Sequence, residues 1–325
     1  MNIIVTGGAG FIGSNFVKYK LNNSDDNIVI VDKLTYAGNP ENIPNDSRVS
    51  FLNDDICDIA LENIEADCII NFAAETHVDR SISEPESFIK TDVFGTFNLL
   101  EIAKQKDIRY IQISTDEVYG SIQKGSFTEE SPIKPSSPYS ASKTGGDMLV
   151  YAYHETYDLD ALIVRGSNNY GPNQYPEKLI PLVITKAINN EKIPVYGNGM
   201  QVRNWIFVED FCSAIDAALK FGKAGEVYNA GGPSELANVE VISAILEKLD
   251  KPRSLIKFVK DRLGHDQRYS LASDKIEQLG WMPKYEFNHG IDITVDWYLD
   301  NFAWWEKIIT KEEYGDYYNK QYRNN

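Results

Sequence analysis

The chain has 325 residues, of which 42% are hydrophobic and 25% charged, a composition typical of a globular protein. Its formal net charge of −16 argues against nucleic acid or an anionic membrane surface as a partner, although a small anionic ligand can bind where local cations outweigh this field. The three cysteines have no C-x-x-C spacing, which argues against a disulfide framework or a metal site. We recognise neither a signal sequence nor a run of ~18 apolar residues that could cross a membrane. We therefore expect a soluble, cytoplasmic protein.

Strand-like and helix-like segments alternate through the first half of the sequence. Short apolar runs predict strands at 2–6, 28–31, 68–72, 110–114 and 161–164, and helical spacing predicts helices at 11–21, 88–106 and 140–157. This alternation predicts an α/β fold with a Rossmann-type, doubly wound parallel sheet. After Gly166 the chain becomes richer in loops, so we expect an NAD-binding domain at 1–166 and a smaller, partly interleaved C-terminal substrate-binding domain at 167–325.

A glycine-rich turn separates the first predicted strand from the first predicted helix. Its sequence, Thr6-Gly7-Gly8-Ala9-Gly10-Phe11-Ile12-Gly13, satisfies both G-x-G-x-x-G and G-x-x-G-x-x-G. Such a turn lets the backbone approach a pyrophosphate, which binds at the helix N-terminus, and a Cβ at Gly10 would block that approach. For the motif alone, a tight glycine turn without a ligand is the alternative.

Residues that follow the next predicted strands favour a dinucleotide, and favour NAD over NADP. Asp32 ends the second strand, where an acidic group binds the ribose hydroxyls and repels a 2′-phosphate, although Lys33 follows it. Asp54-Asp55-Ile56 follows the third strand, where adenine is expected, and the small pair Ala73-Ala74 follows the fourth. We therefore predict that NAD is bound by these segments together with Gly7, Gly10, Phe11, Ile12 and Gly13.

A Tyr-x-x-x-Lys pair lies at the start of the third predicted helix. A helix places Tyr139 and Lys143 on one face, where the ammonium is expected to lower the pKa of the tyrosine. Tyr139 could then take a proton from a sugar hydroxyl, and Lys143 could bind the nicotinamide ribose. Together with the glycine turn, this pair resembles the extended short-chain dehydrogenase/reductase family, which acts mainly on sugar nucleotides.

Within that family, the residues after the fifth strand separate different reactions. Epimerases typically carry small hydroxyl residues there, whereas this chain has Thr115-Asp116-Glu117. Neighbouring carboxyl groups tend to separate their pKa values, so one can donate a proton to a leaving hydroxyl while the other removes a carbon-bound proton. An acidic turn or a helix cap without a catalytic role is the alternative.

The triplet resembles the hallmark of the dTDP-glucose 4,6-dehydratases, NAD-dependent sugar-nucleotide dehydratases of the same family. The resemblance implies that Tyr139 removes the C4 hydroxyl proton while NAD takes the C4 hydride. It further implies that Glu117 removes the C5 proton, Asp116 protonates the departing C6 hydroxyl, and Thr115 holds the C4 oxygen. Return of the hydride to C6 then gives a 4-keto-6-deoxy sugar and regenerates NAD.

The resemblance also implies a set of ligand contacts in the second half of the chain. Asn168 is expected near the cofactor, Tyr196 stacked on the nucleobase and Arg203 on the diphosphate, since a guanidinium fork suits phosphate oxygens. The complete set of implied substrate residues is Thr76, Arg80, Asn169, Lys178, Leu179, Pro194, Tyr196, Arg203, Asn238, Arg262 and His265.

Three positions depart from the family's usual pattern: Asn204 replaces Asp, Leu263 replaces Pro, and Asn238 has unusual neighbours. They leave base selectivity open, so a UDP-glucose 4,6-dehydratase is one alternative, and a non-catalytic NAD-binding regulator of the same fold is another. The family also implies a homodimer, for which the apolar faces at 88–100 and 148–157 are candidates.

Overall fold

The computed structural model describes residues 1–61, 63–261 and 265–322. The strands are β1 (Asn2–Thr6), β2 (Asn27–Val31), β3 (Val49–Leu52), β4 (Cys68–Asn71), β5 (Arg109–Thr115), β6 (Ala161–Gly166), β7 (Asn168–Tyr170), β8 (Ile193–Tyr196), β9 (Val202–Phe207), β10 (Val227–Ala230), β11 (Ser234–Ala237) and β12 (Ile256–Val259). The α-helices are α1 (Phe11–Asn23), α2 (Val78–Ser83), α3 (Pro85–Phe88), α4 (Thr96–Lys106), α5 (Pro138–Tyr157), α6 (Leu179–Ile188), α7 (Val208–Phe221), α8 (Asn238–Lys248), α9 (Asp274–Glu277), α10 (Phe287–Asp300), α11 (Phe302–Ile309) and α12 (Glu312–Tyr322). Within these ranges, no helix combines the length and the apolar content that a membrane crossing requires.

A seven-stranded parallel sheet forms the centre of the first half, in the order β10-β6-β5-β4-β1-β2-β3. Strand order reverses between β1 and β4, which is the arrangement of a doubly wound sheet. The predicted α/β fold with a Rossmann-type sheet is therefore confirmed. Two smaller sheets, β11-β9-β7 and β12-β8, are built from the second half of the chain.

The second half of the sequence also contributes to the large sheet. β10 pairs in parallel with β6, with Val227 opposite Ile163 and Ala230 opposite Gly166. α7 packs against α1 on the same sheet, and its Phe211 belongs to the core that covers one sheet face. The chain therefore crosses from the first sheet to the smaller sheets and returns to it.

Alternation along the strands divides the buried side chains between the two faces of the large sheet. In β1, Ile3 and Val5 point to the core formed with α1 and α7, while Ile4 points to the core formed with α4 and α5. A third core lies in the second half, between α6, α8, α10 and α11, and contains Ile184 and Trp305. Helices cover both faces of the large sheet, and because its strands are parallel, their carboxyl ends lie at one edge.

The helix predicted at 88–106 is interrupted, which corrects the sequence-based expectation. α3 ends at Phe88, a π-helix covers Ile89–Gly95, and α4 begins at Thr96. The π-helix packs closely on α5, where a Cβ added at Gly146 would lie 2.7 Å from the carbonyl oxygen of Asp92. Hydrophobic periodicity does not distinguish a π-turn from an α-turn, and π-turns frequently occur at functional sites.

Candidate active site

A cavity lies at the carboxyl ends of β1, β2, β4, β5 and β6, the edge where doubly wound sheets bind ligands. It brings together all residues predicted to bind the cofactor, namely Gly7, Gly10, Phe11, Ile12, Gly13, Asp32, Lys33, Asp54, Ile56, Ala73, Ala74, Tyr139, Lys143 and Asn168. It also contains the predicted catalytic residues Thr115, Asp116 and Glu117, and the predicted substrate residues Thr76, Asn169 and Lys178. The predicted cofactor and catalytic residues therefore share one cavity.

The glycine turn forms one wall of this cavity between β1 and α1. Gly7 has a φ of +67°, and a Cβ there would lie 2.6 Å from the backbone nitrogen of Ala73. A Cβ on Gly13 would lie 2.3 Å from the carbonyl oxygen of Gly7, so these two glycines allow close backbone packing. A Cβ on Gly10 would meet only the Gly7 oxygen, at 3.2 Å, and Gly10 precedes the first residue of α1. This open cradle at a helix N-terminus fits a pyrophosphate.

Gly10 allows the cofactor role to be tested with little change to the fold. Its φ of −79° suits any L-residue, and the new Cβ would press only on the Gly7 oxygen, at 3.2 Å, so Gly10→Ala should lower the thermal midpoint only slightly. Because the new methyl group would separate backbone and phosphate, we expect NAD affinity to fall about ten- to hundredfold, the loss of one charge-assisted hydrogen bond. Calorimetric titration with NAD measures this. Gly315→Ala, at a glycine with open space around it, is the control, and equal affinities for both variants would contradict the prediction.

Asp32 lies where the ribose hydroxyls are expected, and its carboxylate is already held by the backbone. Its Oδ2 accepts a hydrogen bond from the Ala9 nitrogen at 3.0 Å and its Oδ1 from the Leu34 nitrogen at 2.8 Å. Burial raises the pKa of Asp32 despite these bonds. Lys33 turns toward Asp55, with 3.5 Å between Nζ and Oδ2. The negative charge of Asp55 thus offsets the positive charge of Lys33, the residue that could otherwise favour NADP over NAD.

The Thr115-Asp116-Glu117 triplet occupies the junction between β5 and a 3-10 helix at Asp116–Tyr119. Thr115 caps this helix by accepting a hydrogen bond from the Glu117 nitrogen at 3.3 Å, and its hydroxyl donates to Oδ1 of Asp116 at 3.3 Å. Asp116 is only 2% exposed, and its Oδ2 has no hydrogen-bond partner among the described residues. Burial, and then the charge of Glu117, raises the pKa of Asp116 to about 8, while Arg203 opposes the shift. Asp116 is therefore a neutral acid at neutral pH with a proton to donate.

The raised pKa of Asp116 predicts a pH limit for catalysis. Below about pH 8 the carboxyl group keeps its proton, and above that pH the acid form is lost. We expect turnover to fall about tenfold per pH unit on the alkaline side, as for a single essential acid. A pH–rate profile, with the thermal midpoint recorded at each pH, checks this. A rate that stays constant well above pH 8 in the folded protein would rule out the neutral form of Asp116 as the working acid.

Tyr139 and Lys143 share a face of α5, but the expected effect on the tyrosine is wrong. Nζ of Lys143 donates to the carbonyl oxygen of Ile113 at 2.8 Å, so the ammonium is directed at β5. Burial raises the pKa of Tyr139 well above its ordinary value, and Glu117 and Asp92 raise it further, while a hydrogen bond with Thr115 opposes them. Desolvation and nearby carboxyl groups therefore decide the direction of the shift, and the phenol keeps its proton at neutral pH.

Asp92 is a site residue that the sequence analysis missed. It lies in the π-helix, is 1% exposed, and accepts hydrogen bonds from Oγ of Ser142 at 2.6 Å and from the Glu75 nitrogen at 3.3 Å. Burial raises the pKa of Asp92 to about 6, and Lys143 opposes the shift. Ser142 precedes Lys143 on α5, so Asp92 holds the helix that carries Tyr139 and Lys143. The sequence signal was a carboxyl group within a largely apolar helical pattern.

A buried ion pair fixes β5 and α5 behind the triplet. Oδ2 of Asp147 accepts from Nε of Arg165 at 2.9 Å and from Oγ of Ser114 at 3.0 Å. Nη1 of Arg165 donates to the hydroxyl of Tyr119 at 2.7 Å, at the end of the 3-10 helix. Since both charged groups are buried, this network sets the position of the strand end that presents Thr115.

The remaining predicted substrate residues do not line the described part of the cavity. They are Arg80, Leu179, Pro194, Tyr196, Arg203, Asn238 and His265, while Arg262 lies outside the described residues. Arg203 donates to the carbonyl oxygens of Val202 at 2.9 Å and Asp266 at 3.0 Å, and its guanidinium lies 4.5 Å from the centre of the Tyr269 ring. In this position its charge opposes the rise in the pKa of Asp116, the predicted acid, and diphosphate binding by Arg203 stays a prediction.

Tyr196 and Arg80 are both in contact with other side chains of the protein. The Tyr196 hydroxyl donates to Oδ2 of Asp79 at 3.2 Å, and the His265 ring lies 6.0 Å from the Tyr196 ring. Nε of Arg80 donates to Glu177 at 3.4 Å, and the guanidinium lies 3.8 Å from the centre of the Tyr36 ring. Both side chains are thus engaged with other residues of the protein and lie outside the lining of the cavity that contains the predicted catalytic residues.

The departure at Asn204 has a structural explanation. Its side-chain nitrogen donates to the Gly232 carbonyl oxygen at 2.7 Å, and its side-chain oxygen accepts from the Gly232 nitrogen at 2.9 Å. An aspartate could not supply the first of these bonds. Asn204 thus holds the turn before β11.

Comparison with known proteins agrees with this geometry. The family model described as GDP-mannose 4,6-dehydratase matches residues 4–294. The chain is 52% identical to the low-salt glycan biosynthesis protein Agl12 of Haloferax volcanii, over 92% of this chain and 99% of that protein. It is 47% identical to the dTDP-glucose 4,6-dehydratase of Streptomyces niveus, over 96% of this chain and 97% of that protein. The crystal structure of the dTDP-glucose 4,6-dehydratase DesIV from Streptomyces venezuelae, with NAD and TYD bound, is 46% identical and has a TM-score of 0.92, covering 95% of this chain and 100% of that one. The chain therefore belongs to the family of nucleotide-sugar 4,6-dehydratases.

Proposed function

We propose that the chain is an NAD-dependent dTDP-glucose 4,6-dehydratase, which converts dTDP-glucose to dTDP-4-keto-6-deoxyglucose. The observation that carries this proposal is the pair of carboxyl groups in the cavity. Asp116 is buried and neutral beside Glu117, and both share the cavity with the glycine turn. An elimination of water needs an acid and a base on neighbouring carbons, and this pair supplies both. The names and bound cofactors of the relatives support the same reaction.

Apart from Asn168, the predicted cofactor-binding residues lie within 1–166, and we propose 1–166 as the NAD-binding domain and 167–325 as mainly the sugar-nucleotide-binding domain. The cradle at Gly10 would hold the pyrophosphate and Asp32 the adenosine ribose. Asn168 lines the same cavity, and its side-chain oxygen has no partner among the described residues, so it can accept a ligand hydrogen bond.

The chain's own residues would divide the proton transfers among them. NAD, when bound, would supply the hydride acceptor for C4 of the sugar and the hydride donor for C6, and its positive ring charge would favour the ionised form of Tyr139. Tyr139 takes the proton of the C4 hydroxyl, with Thr115 holding the C4 oxygen. Glu117 removes the C5 proton, which the C4 ketone acidifies. Asp116 gives its proton to the C6 hydroxyl, and water leaves.

Incubation of the purified protein with dTDP-glucose and, separately, with UDP-glucose tests the proposal. We expect a 4-keto-6-deoxy product, identified by mass and NMR spectra, from dTDP-glucose in preference to UDP-glucose. Product from UDP-glucose alone would make the protein a UDP-glucose 4,6-dehydratase. No product from either, in a protein that binds NAD, would leave the non-catalytic regulator.

We also propose that the protein forms a homodimer and acts in the cytoplasm. Exposed apolar side chains on neighbouring helices support the dimer, among them Phe94 at 50%, Met148 at 46% and Tyr151 at 52% exposure. Light scattering in solution should give twice the chain mass, and a mass of one chain at micromolar concentration would contradict the dimer. The three free, buried cysteines are consistent with a reducing compartment.

A further inference from the structure

The side chain of Asn42 joins three parts of the chain that are far apart in sequence. Asn42 is 2% exposed and ends a short 3-10 helix, Pro40–Asn42, in the loop after β2. Its Nδ2 donates to the carbonyl oxygen of Ala9 at 2.9 Å. Its Oδ1 accepts from Nε1 of Trp304 at 3.0 Å and from Nδ2 of Asn173 at 3.0 Å. One buried amide therefore links the glycine turn to α11 and to the loop before α6.

The carbonyl group that Asn42 binds is part of the expected pyrophosphate cradle. The Ala9 oxygen accepts a second hydrogen bond, from the Asn39 nitrogen at 3.0 Å, and the Ala9 nitrogen donates to Oδ2 of Asp32 at 3.0 Å. Because a peptide group is planar, the bonds to the Ala9 oxygen also fix the plane of the Gly10 nitrogen, directly before α1. The first N–H groups of that helix are the ones expected to meet the pyrophosphate. Asn42 therefore helps to set the geometry of the cradle.

Residues 33–42, which we call the cover segment, lie along the same cavity. Four of them line it beside Asp32, namely Lys33, Thr35, Ala37 and Gly38. The cover segment is attached to α11 by the bond between Asn42 and Trp304, and by an exposed ion pair between Glu41 and Lys307 at 2.7 Å. Exposed ion pairs contribute little, whereas the loss of a buried hydrogen bond leaves a desolvated polar group without its partner. The bond to Trp304 is therefore the more important of the two attachments.

We propose that Asn42 is a positioning residue for NAD, and that the indole N–H of Trp304 holds Asn42 in place and so controls how fast the cofactor leaves. NAD that leaves past Asp32 requires the cover segment to move away from the cavity, which strains or breaks the bonds of Asn42. Segments that close over a bound ligand commonly set its rate of release. Only NAD is needed to test this role, so the identity of the sugar nucleotide does not enter the test.

Two neighbouring tryptophans give a matched pair of variants. Trp304→Phe keeps an aromatic ring and removes the N–H that binds Asn42, so we expect NAD to dissociate about three- to tenfold faster, the factor for one buried hydrogen bond. Trp305→Phe is the control, because its indole N–H donates to the Tyr298 carbonyl oxygen at 2.8 Å, within the core of the second half. It should lower the thermal midpoint as well, but release NAD as the parent does.

The measurement is a chase of the full-length protein loaded with NAD that is labelled in its adenine ring. After addition of excess unlabelled NAD, the label that stays with the protein is followed over time by rapid gel filtration. Asn173→Gly removes the other donor to Asn42 at a residue with a φ of +65°, which glycine adopts readily, and should also speed release. At saturating NAD, kcat of Trp304→Phe should equal that of the parent.

Hydrogen exchange of the NAD-loaded proteins gives a second measurement. Residues 33–42 should exchange faster in Trp304→Phe than in the parent, and at the parent's rate in Trp305→Phe. Unchanged NAD release in Trp304→Phe, whatever its thermal midpoint, would give this tryptophan a purely structural role and overturn the inference. Equal acceleration of release in both tryptophan variants would also overturn it, because a general loosening of the core would then explain the effect.

Discussion

Replacing Glu117 by glutamine is expected to stop the reaction after the sugar has been oxidised. The amide keeps the size of the side chain and its place in the cavity, but it cannot take the C5 proton. In the proposed reaction, oxidation at C4 depends on Tyr139, whereas elimination depends on the base that this variant lacks. We expect overall turnover to fall by about 10²- to 10⁴-fold, the usual contribution of a general base, while reduced NAD and the 4-keto sugar accumulate.

Stopped-flow absorbance of reduced NAD after mixing with dTDP-glucose distinguishes this arrest from a general loss of activity. The parent should show little accumulation, and Glu117→Gln should show a stable signal that approaches one equivalent per site. Glu130→Gln, the same change at an exposed position, should behave as the parent. Full turnover by Glu117→Gln would refute its role as base, and a variant that forms no reduced NAD would place Glu117 in the oxidation step instead.

Replacing Arg165 by methionine is expected to lower the free energy of unfolding more than any other single substitution named here. The change leaves the carboxylate of Asp147, which is fully buried, without the guanidinium that now contacts it at 2.9 Å. Breaking a buried ion pair by removing one partner costs about 3–5 kcal/mol, because an uncompensated charge remains in a medium of low polarity. The measurement is the free energy of unfolding in urea, together with the thermal midpoint. Turnover should also fall, since Ser114 and Tyr119 lose the group that fixes them.

A second substitution separates the charge from the packing. Arg165→Met combined with Asp147→Leu removes both charges, so it should recover part of the stability lost by Arg165→Met alone. Lys307→Met, which breaks the exposed pair with Glu41, should change stability by about 1 kcal/mol or less. A single Arg165 variant as stable as the Lys307 variant would show that the buried pair contributes little.

The elements that local sequence determines were predicted well. The first strand, predicted at 2–6, coincides with β1, and the glycine turn follows it directly because its glycines satisfy local backbone requirements. Asp32, Ala73 and Thr115 come together without any pairing signal between them, because parallel strands end at one edge of the sheet. Strand order therefore explains why the predicted cofactor and catalytic residues meet in one cavity.

Properties that depend on distant residues were not predictable from local patterns. The pKa of Tyr139 depends on burial and on Glu117 and Asp92, so spacing to Lys143 gave the wrong direction. The interrupted helix at Ile89–Gly95 depends on its close packing with α5. The contact between Gln321 and Tyr196 joins residues 125 positions apart, so no local pattern could have predicted it.

The return of the chain to the large sheet has a practical consequence. β10 covers the outer side of β6 and would be missing from any fragment that ends at Gly166. Such a fragment would expose an apolar edge strand with open backbone hydrogen-bonding groups, which is a template for aggregation. A minimal NAD-binding fragment must therefore extend to Ala230. For the same reason, a single crossover at Gly166 cannot exchange the two halves of this protein with those of a relative as independent units.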